Sequence, residues 1–196
     1  MIKQVILASK NRGKVSEIGE ILKSIDIKVV SMEDVGFNDD IKETGNTFEE
    51  NALIKAKAIY HKLGCPVLAD DSGLEVEYLD NAPGIYSARF AESDDKRIEK
   101  LLGLLDGVSE PKRKARFVCV MVLYINDDEV IVTKGTVDGY IAKERKGDNG
   151  FGYDPIFYVP QYKRTMAQLT SDIKNQISHR ARALQSLVNE LENYNM

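Results

Sequence analysis

Three cationic side chains crowd one short stretch: Lys10, Arg12 and Lys14 stand within Ser9-Lys10-Asn11-Arg12-Gly13-Lys14. Cations at that density neutralise a polyanion, and the side chains of Ser9 and Asn11 can bond phosphate oxygens or hold a turn, so a triphosphate suits this chemistry. The stretch lacks the eight-residue Walker A pattern, and a solvated loop ahead of a helix has the same composition. Glu43, Asp70 and Asp71 are of the type that holds magnesium, a hard cation that takes carboxylate oxygens and keeps several waters and substrate phosphates. Glu43 alone also reads as a surface acid; the adjacent Asp70-Asp71 pair is the stronger signal. Asp71 can alternatively take a proton from an attacking water, because clustered carboxylates raise one another's pKa. Lys55 can neutralise charge on a leaving group, or it can lay its stem on apolar surface with its ammonium in water.

A second group has the chemistry of base recognition. Phe151-Gly152-Tyr153-Asp154 sets aromatic rings beside glycines and a carboxylate, a composition suited to stacking on a base while bonding its edge. Lys174, His179 and Arg180 are donors, which the O6 and N7 acceptors of a 6-keto purine require and the 6-amino group of adenine repels. The alternatives are a helix-capping or core position for His179 and a solvated basic face for Lys174 and Arg180. His61 reads as structural.

These side chains need elements to place them. Gln4 to Ala8 is apolar and β-branched, a buried strand that runs into the cationic stretch, and Val15, Ile18, Ile21, Leu22 and Ile25 then recur at helical spacing. A loop between a strand's end and a helix N-terminus is the usual geometry of an anion site. Thr47 with Glu50 predicts a capped helix that carries Ala52, Ala56, Ile59 and Leu63 to Gly64, with Asn51 and Lys55 on one face. Pro66 to Ala69 reads as a buried strand ending in Asp70-Asp71-Ser72-Gly73, with Leu74 to Leu79 a further extended segment, so both carboxylates stand at a strand's end.

Asp94 and Asp95 open an amphipathic helix through Ile98, Leu101, Leu102 and Leu105 to Gly107, which reads as purely structural. Ala115 to Ile125 and Glu129 to Ile141, separated by Asn126-Asp127-Asp128, predict an antiparallel hairpin and hence a mixed sheet. Gly147 to Pro155 is a glycine-rich loop. The chain then closes with one helix burying Ala181, Leu184, Leu187, Val188 and Leu191, with Lys174, His179 and Arg180 near its start.

The chain has 196 residues, 43% of them hydrophobic and 30% charged with both signs interspersed. That is the balance of a soluble globular protein, and residues 1–196 are expected to form a single domain. No apolar run approaches the roughly 20 residues that span a bilayer, and Met1-Ile2-Lys3-Gln4-Val5 lacks the apolar core of a signal peptide, so a cytoplasmic location without a membrane partner is expected. The net charge of -4 gives no general attraction to nucleic acid. Cys65 and Cys119 fit neither a disulfide framework nor a metal-ligand spacing and read as buried free thiols.

Taken in chain order, six segments resemble the inosine triphosphate pyrophosphatase family: Ser9 to Lys14; Glu43-Thr44-Gly45 with Asn51 and Lys55; Leu68 to Leu74; Ala82 to Arg89; Gly150 to Pro155; and Ile177 to Arg180. The resemblance implies an α/β fold with a mixed central sheet flanked by helices, two lobes with an active-site cleft between them, and a homodimer. It implies magnesium-dependent hydrolysis of ITP, dITP and XTP to the monophosphate and pyrophosphate, which cleans the nucleotide pool. Ser9, Lys10, Asn11, Arg12, Gly13, Lys14 and Lys55 would hold phosphates, Glu43 and Asp71 the metal, with Asp71 also the proton acceptor. Ser72 would touch the substrate, and Phe151, Gly152, Tyr153, Asp154, Lys174, His179 and Arg180 would bind the base. In-line attack of water on the α-phosphorus is the expected chemistry, with Lys55 and magnesium stabilising the departing pyrophosphate. Lys10 stands where many members carry a small residue, and Met166-Ala167-Gln168-Leu169 replaces a segment usually led by phenylalanine. The related septum-formation-inhibitor pyrophosphatases are disfavoured by Ser178-His179-Arg180, and a nucleotide-sensing or RNA-binding module would have no use for Glu43 and Asp71 around a metal.

Overall fold

The computed structural model describes residues 2–10 and 12–195, without the side chains of residues 12, 13, 17, 194 and 195. The strands are β1 (Gln4–Leu7), β2 (Lys28–Ser31), β3 (Val67–Val76), β4 (Pro83–Gly84), β5 (Lys114–Asn126), β6 (Glu129–Ile141), β7 (Phe157–Val159) and β8 (Arg164–Thr165). The helices are α1 (Arg12–Lys23), α2 (Phe48–Leu63), α3 (Asp94–Leu104), α4 (Ser171–Ile177) and α5 (His179–Asn195). The strands form one mixed sheet in the order β2-β1-β3-β5-β6-β7-β8, with β4 paired to β3. β1 lies parallel to β2 and β3, while β7 is antiparallel to β6 and β8. The α/β class and the mixed sheet expected from the sequence are both found.

The chain divides into two compact units, one made of Met1–Asp71, Cys119–Gly135 and Ala183–Met196, the other of Ser72–Val118 and Thr136–Arg182. The divisions fall inside β3, β5, β6 and α5. In the first unit strand alternation sorts side chains to two faces. Val5, Leu7, Leu68, Met121 and Leu123 pack with Ile18 and Leu22 of α1 and with Leu184, Leu187 and Leu191 of α5. Ile6, Val67, Ala69, Val122 and Tyr124 pack with Ala52, Ala56 and Ile59 of α2. Covered on both faces, β1 is apolar without interruption from Val5 to Leu7, which is why it was legible as a strand. In the second unit a single core joins Leu74 and Val76 of β3, Ile98 and Leu101 of α3, Phe117, Val137 and Phe157. Arg113, 3% exposed, fastens that unit by donating to the carbonyls of Leu105, Ile141 and Ala142 at 2.7, 2.7 and 2.9 Å.

Several local expectations hold. Thr47 caps α2, accepting from the Glu50 N–H at 3.0 Å, and Gly64 ends it at φ +66. Asp127 and Asp128 turn β5 into β6, with the Asp128 N–H donating to Asn126 Oδ1 at 2.9 Å. Three expectations are corrected. Asp70 and Asp71 do not end a strand: β3 runs unbroken from Val67 to Val76. Asp-Asp-Ser-Gly reads as a turn only when its tertiary partners are unknown, and the two carboxylates have such partners here. The closing helix is also two helices, because Ser178 is extended at ψ 153 and its hydroxyl caps α5 by accepting from the Ala181 N–H at 3.1 Å. Neither cysteine is in a disulfide, and against expectation only Cys119 is buried; Cys65 is partly exposed. No helix is long and apolar enough to cross a membrane among the described residues.

The packing of α5 predicts a clear contrast. Leu187→Ala, at a position with no exposure, should lower the free energy of unfolding by about 2–5 kcal/mol in urea titration. Leu104→Ala, at a residue 50% exposed, should change it by less than about 0.5 kcal/mol; equal losses would contradict this core.

Candidate active site

In the first unit the cationic stretch joins β1 to α1, the strand-to-helix junction expected of an anion site. The Ser9 N–H donates to the Leu7 carbonyl at 2.8 Å, and Lys10 is exposed. Asn11 lies outside the described residues, as does the side chain of Arg12; Gly13 lies in the first turn of α1. Lys14 turns inward instead of standing in solvent. Its Nζ donates to both oxygens of Asp70, at 2.8 and 3.0 Å, and the Asp70 side chain is only 2% exposed. A buried carboxylate needs such a partner, so Asp70 ties the first turn of α1 to β3.

Asp71 follows Asp70 by one residue and therefore points to the other face of β3, towards α2. Asn51 and Lys55 stand four residues apart on that helix and share a face. Asn51 has no exposure, and both ends of its amide are used: Nδ2 donates to Asp71 Oδ2 at 3.1 Å, and Oδ1 accepts from the Gly45 N–H at 2.8 Å. A side chain on Gly45 would meet Glu50 Cβ at 2.6 Å and Asn51 Oδ1 at 2.9 Å, so only glycine lets the Glu43-Thr44-Gly45 loop lie this close to α2. Lys55 Nζ donates to the Asp70 carbonyl at 2.7 Å and lies 2.8 Å from Glu43 Oε1 and 3.9 Å from Asp71 Oδ1. Glu43 and Asp71, distant in sequence, thus converge on one ammonium.

That convergence bears on whether the site could hold a metal. Among the described residues no three or more His, Cys, Asp or Glu side chains group as a ready metal cage. Two carboxylates that already gather about one cation fit magnesium, which is commonly held by one or two carboxylates and completed by water and phosphate oxygens. Asp70, by contrast, is turned to Lys14 on the opposite face.

In the second unit the glycine-rich loop is built around buried groups. Asp154 is 8% exposed and accepts from Lys174 Nζ at 2.5 Å and from the Phe151 N–H at 3.3 Å. Burial raises its carboxyl pKa above the usual aspartyl value, and the charges of Lys174 and Arg180 oppose that rise. Gly150 sits at φ +88, and a side chain there would strike Asp154 Oδ2 at 2.1 Å and Lys174 Nζ at 2.4 Å, so the loop can close over the pair only as glycine. Phe151 is 62% exposed with Lys174 Nζ 5.8 Å from its ring centroid, an open aromatic face beside a held ammonium.

The other expected contacts differ in burial. Tyr153 is 5% exposed and its hydroxyl donates to the Ser87 carbonyl at 3.0 Å, so it braces the loop and Phe151 is the ring on offer. Burial pushes the Tyr153 hydroxyl pKa up. His179 is half-buried and stacks on Phe117 with centroids 5.0 Å apart. Arg180 is 8% exposed, not part of a solvated face. Ser72 is half-buried in β3. Two functional candidates were missed as such: Asn51, and Asp94, whose Oδ2 accepts from the Gly152 N–H at 2.8 Å. The signal for Asn51 was a polar residue beside Ala52 on an apolar helix face; nothing in the sequence singled out Asp94. Two cavities of this unit, about 350 and about 940 Å³, are lined by other residues, including Glu75, Arg116 and Asp138 in the first and Tyr140, Lys143 and Tyr158 in the second.

Both clusters make predictions. Asn51→Ala strands a half-buried carboxylate oxygen and a backbone N–H, and should cost about 1–3 kcal/mol in denaturant unfolding. Because the fold holds the Asp154 proton at a higher pH than the unfolded chain does, this carboxyl favours the fold in acid, and the advantage is lost as pH rises through its raised value. The stability of the native protein relative to Asp154→Asn should therefore grow as pH falls from that raised value towards the ordinary aspartyl range; a difference independent of pH there would contradict it.

The model of the Ham1 family matches residues 5–190. A dITP/XTP pyrophosphatase of Bacillus subtilis (strain 168) is 48% identical over 195 residues, covering 98% of this chain and 98% of that protein. One from Halalkalibacterium halodurans is 50% identical over 189 residues, covering 95% of this chain and 97% of that protein. The structure of the Staphylococcus aureus Ham1 protein agrees with a TM-score of 0.92 at 47% identity, covering 98% of this chain and 100% of that one. With the family model matched over residues 5–190, the same fold, and relatives aligned along nearly the full length of both partners, the chain belongs to the Ham1 family.

Proposed function

We propose that the chain hydrolyses the non-canonical purine triphosphates dITP, ITP and XTP to the nucleoside monophosphate and pyrophosphate. The observation that carries this reading is the convergence of Glu43 and Asp71 on the Lys55 ammonium, with Asn51 fixing Asp71. It is supported by the names of the relatives, dITP/XTP pyrophosphatases at 48–50% identity. Glu43 and Asp71 would hold a magnesium ion, which when bound neutralises triphosphate charge and lowers the pKa of a coordinated water.

The protein's own groups then divide the work. Ser9 and the cations from Lys10 to Lys14 bind the phosphates at the start of α1. Asp71 receives the proton of the water that attacks the α-phosphorus, and Asn51 keeps that carboxylate from rotating away. Lys55 offsets the charge that develops on the leaving pyrophosphate. Phe151 stacks on the base while Lys174, held by Asp154, donates to O6; an adenine 6-amino group meets donor with donor. His179 and Arg180 shape the base side from the start of α5, and Ser72 contacts the substrate. A cytoplasmic homodimer is part of the same proposal.

Product analysis with magnesium should give pyrophosphate from ITP, dITP and XTP, with ATP and dTTP far slower. Free phosphate would mean a different bond is cut, and absence of turnover would mean a binding protein. Asp71→Asn should lower kcat at least about 100-fold while nucleotide binding persists, since general-base catalysis contributes 10²–10⁴-fold. Lys174→Ala should collapse the ITP-to-ATP ratio of kcat/KM, and an unchanged ratio would remove Lys174 from base recognition.

A further inference from the structure

The peptide that follows Phe151 is fastened to α3. Gly152 takes φ +61, and its N–H donates to Asp94 Oδ2 at 2.8 Å, a bond between residues 58 positions apart. The other oxygen, Oδ1, accepts from Arg97 Nη1 at 2.5 Å, and Arg97 Nε donates to the Ala91 carbonyl at 3.1 Å. Asp94 is the first residue of α3, just after Ser93, whose hydroxyl accepts from the Lys96 N–H at 3.3 Å. The helix is itself rooted in the core by Ile98 and Leu101, 2% and 0% exposed. An acid in a first turn serves the helix ends without a partner elsewhere; this one holds a backbone amide of another segment.

We propose that Asp94 is a positioning residue for base recognition, locking the Gly152 peptide so that the exposed Phe151 ring keeps its place beside the Lys174 ammonium. The inference rests on the reading of Phe151 and Lys174 as base-binding groups. Phe151 lies between two glycines at positive φ, Gly150 at +88 and Gly152 at +61, and its own backbone bonds reach only as far as Asp154, whose Oδ2 accepts from the Phe151 N–H and whose N–H donates to the Phe151 carbonyl, both at 3.3 Å. The ties from Gly152, Tyr153 and Asp154 to other segments are Gly152 on Asp94, Tyr153 on Ser87, and Asp154 on Lys174. Losing the first frees the peptide nearest the ring, and the cost of ordering it returns when the base binds. That cost falls on substrate affinity, because the groups assigned to the chemical step, Asp71 and Lys55, lie on other elements.

The test compares Asp94→Ala, Asp94→Asn and Phe151→Ala with the native protein, measuring KM and kcat for ITP and inhibition by tripolyphosphate, which has no base. Asp94→Ala should raise KM about fivefold to tenfold, part of the roughly tenfold to hundredfold that a whole charge-assisted hydrogen bond is worth. Its kcat should stay within about twofold and tripolyphosphate inhibition should be unchanged, since only base contacts are disturbed. Asp94→Asn retains an acceptor for the Gly152 N–H and should recover most of the native KM. If Phe151→Ala raises KM and Asp94→Ala does not, the proposal fails while the base-loop reading stands; if neither does, both fail. Equal weakening of ITP and tripolyphosphate in Asp94→Ala, or an Asp94→Asn variant as impaired as Asp94→Ala, would also overturn it.

Discussion

Two neighbouring carboxylates on one strand cannot point the same way, and the candidate catalytic machinery depends on that constraint. The alternation of β3 sends Asp70 to the face packed by α1 and α5 and Asp71 to the face packed by α2. Each then meets a helix-borne partner: Lys14 for Asp70, Asn51 and Lys55 for Asp71. The same two residues that look interchangeable in sequence thereby acquire different duties. Asp70 is a buried counter-charge that anchors the start of α1, and Asp71 is the less buried oxygen donor that joins Glu43 around a cation. Had β3 slipped by one residue, the cationic stretch and the acidic pair would both have lost their partners.

Asn51 and Asp154 show the same logic at smaller scale. A buried amide must satisfy its donor and its acceptor together, so Asn51 couples the Glu43 loop to Asp71 as one unit. A buried carboxylate must be paired, so Asp154 brings Lys174 to the loop that displays Phe151. In both places the residue that does the holding is buried, Asn51 at 0% and Asp154 at 8% exposure. Close backbone approach at Gly45 and Gly150 is what makes room for these pairings.

Much of this was legible from the chain. The unbroken apolar run of β1, the Thr47 cap with Gly64 at the far end of α2, and the β5–β6 hairpin are local patterns, and each was found where spacing placed it. So was the sharing of one helix face by Asn51 and Lys55. The failures have a common physical cause. Asp70-Asp71-Ser72-Gly73 has turn composition, yet its polar groups are matched by residues from α1 and α2, and tertiary contact overrode local preference. Ser178 broke the last helix through a cap hidden inside a motif read for its basic residues. Tyr153 and Asp94 depend on partners 66 and 58 positions away, a distance over which residue type carries no directional information. Composition names candidate groups but does not say which face each takes.

The division of labour between Asp70 and Asp71 is best tested by the magnesium dependence of ITP turnover in Asp70→Asn and Glu43→Gln, each measured at saturating nucleotide. The account predicts that Glu43→Gln raises the magnesium concentration needed for half-maximal rate, whereas Asp70→Asn leaves it unchanged and weakens the affinity for triphosphate through the loosened Lys14. A shift in magnesium requirement as large in Asp70→Asn as in Glu43→Gln would place both adjacent carboxylates on the metal and contradict the assignment drawn from the two faces of β3.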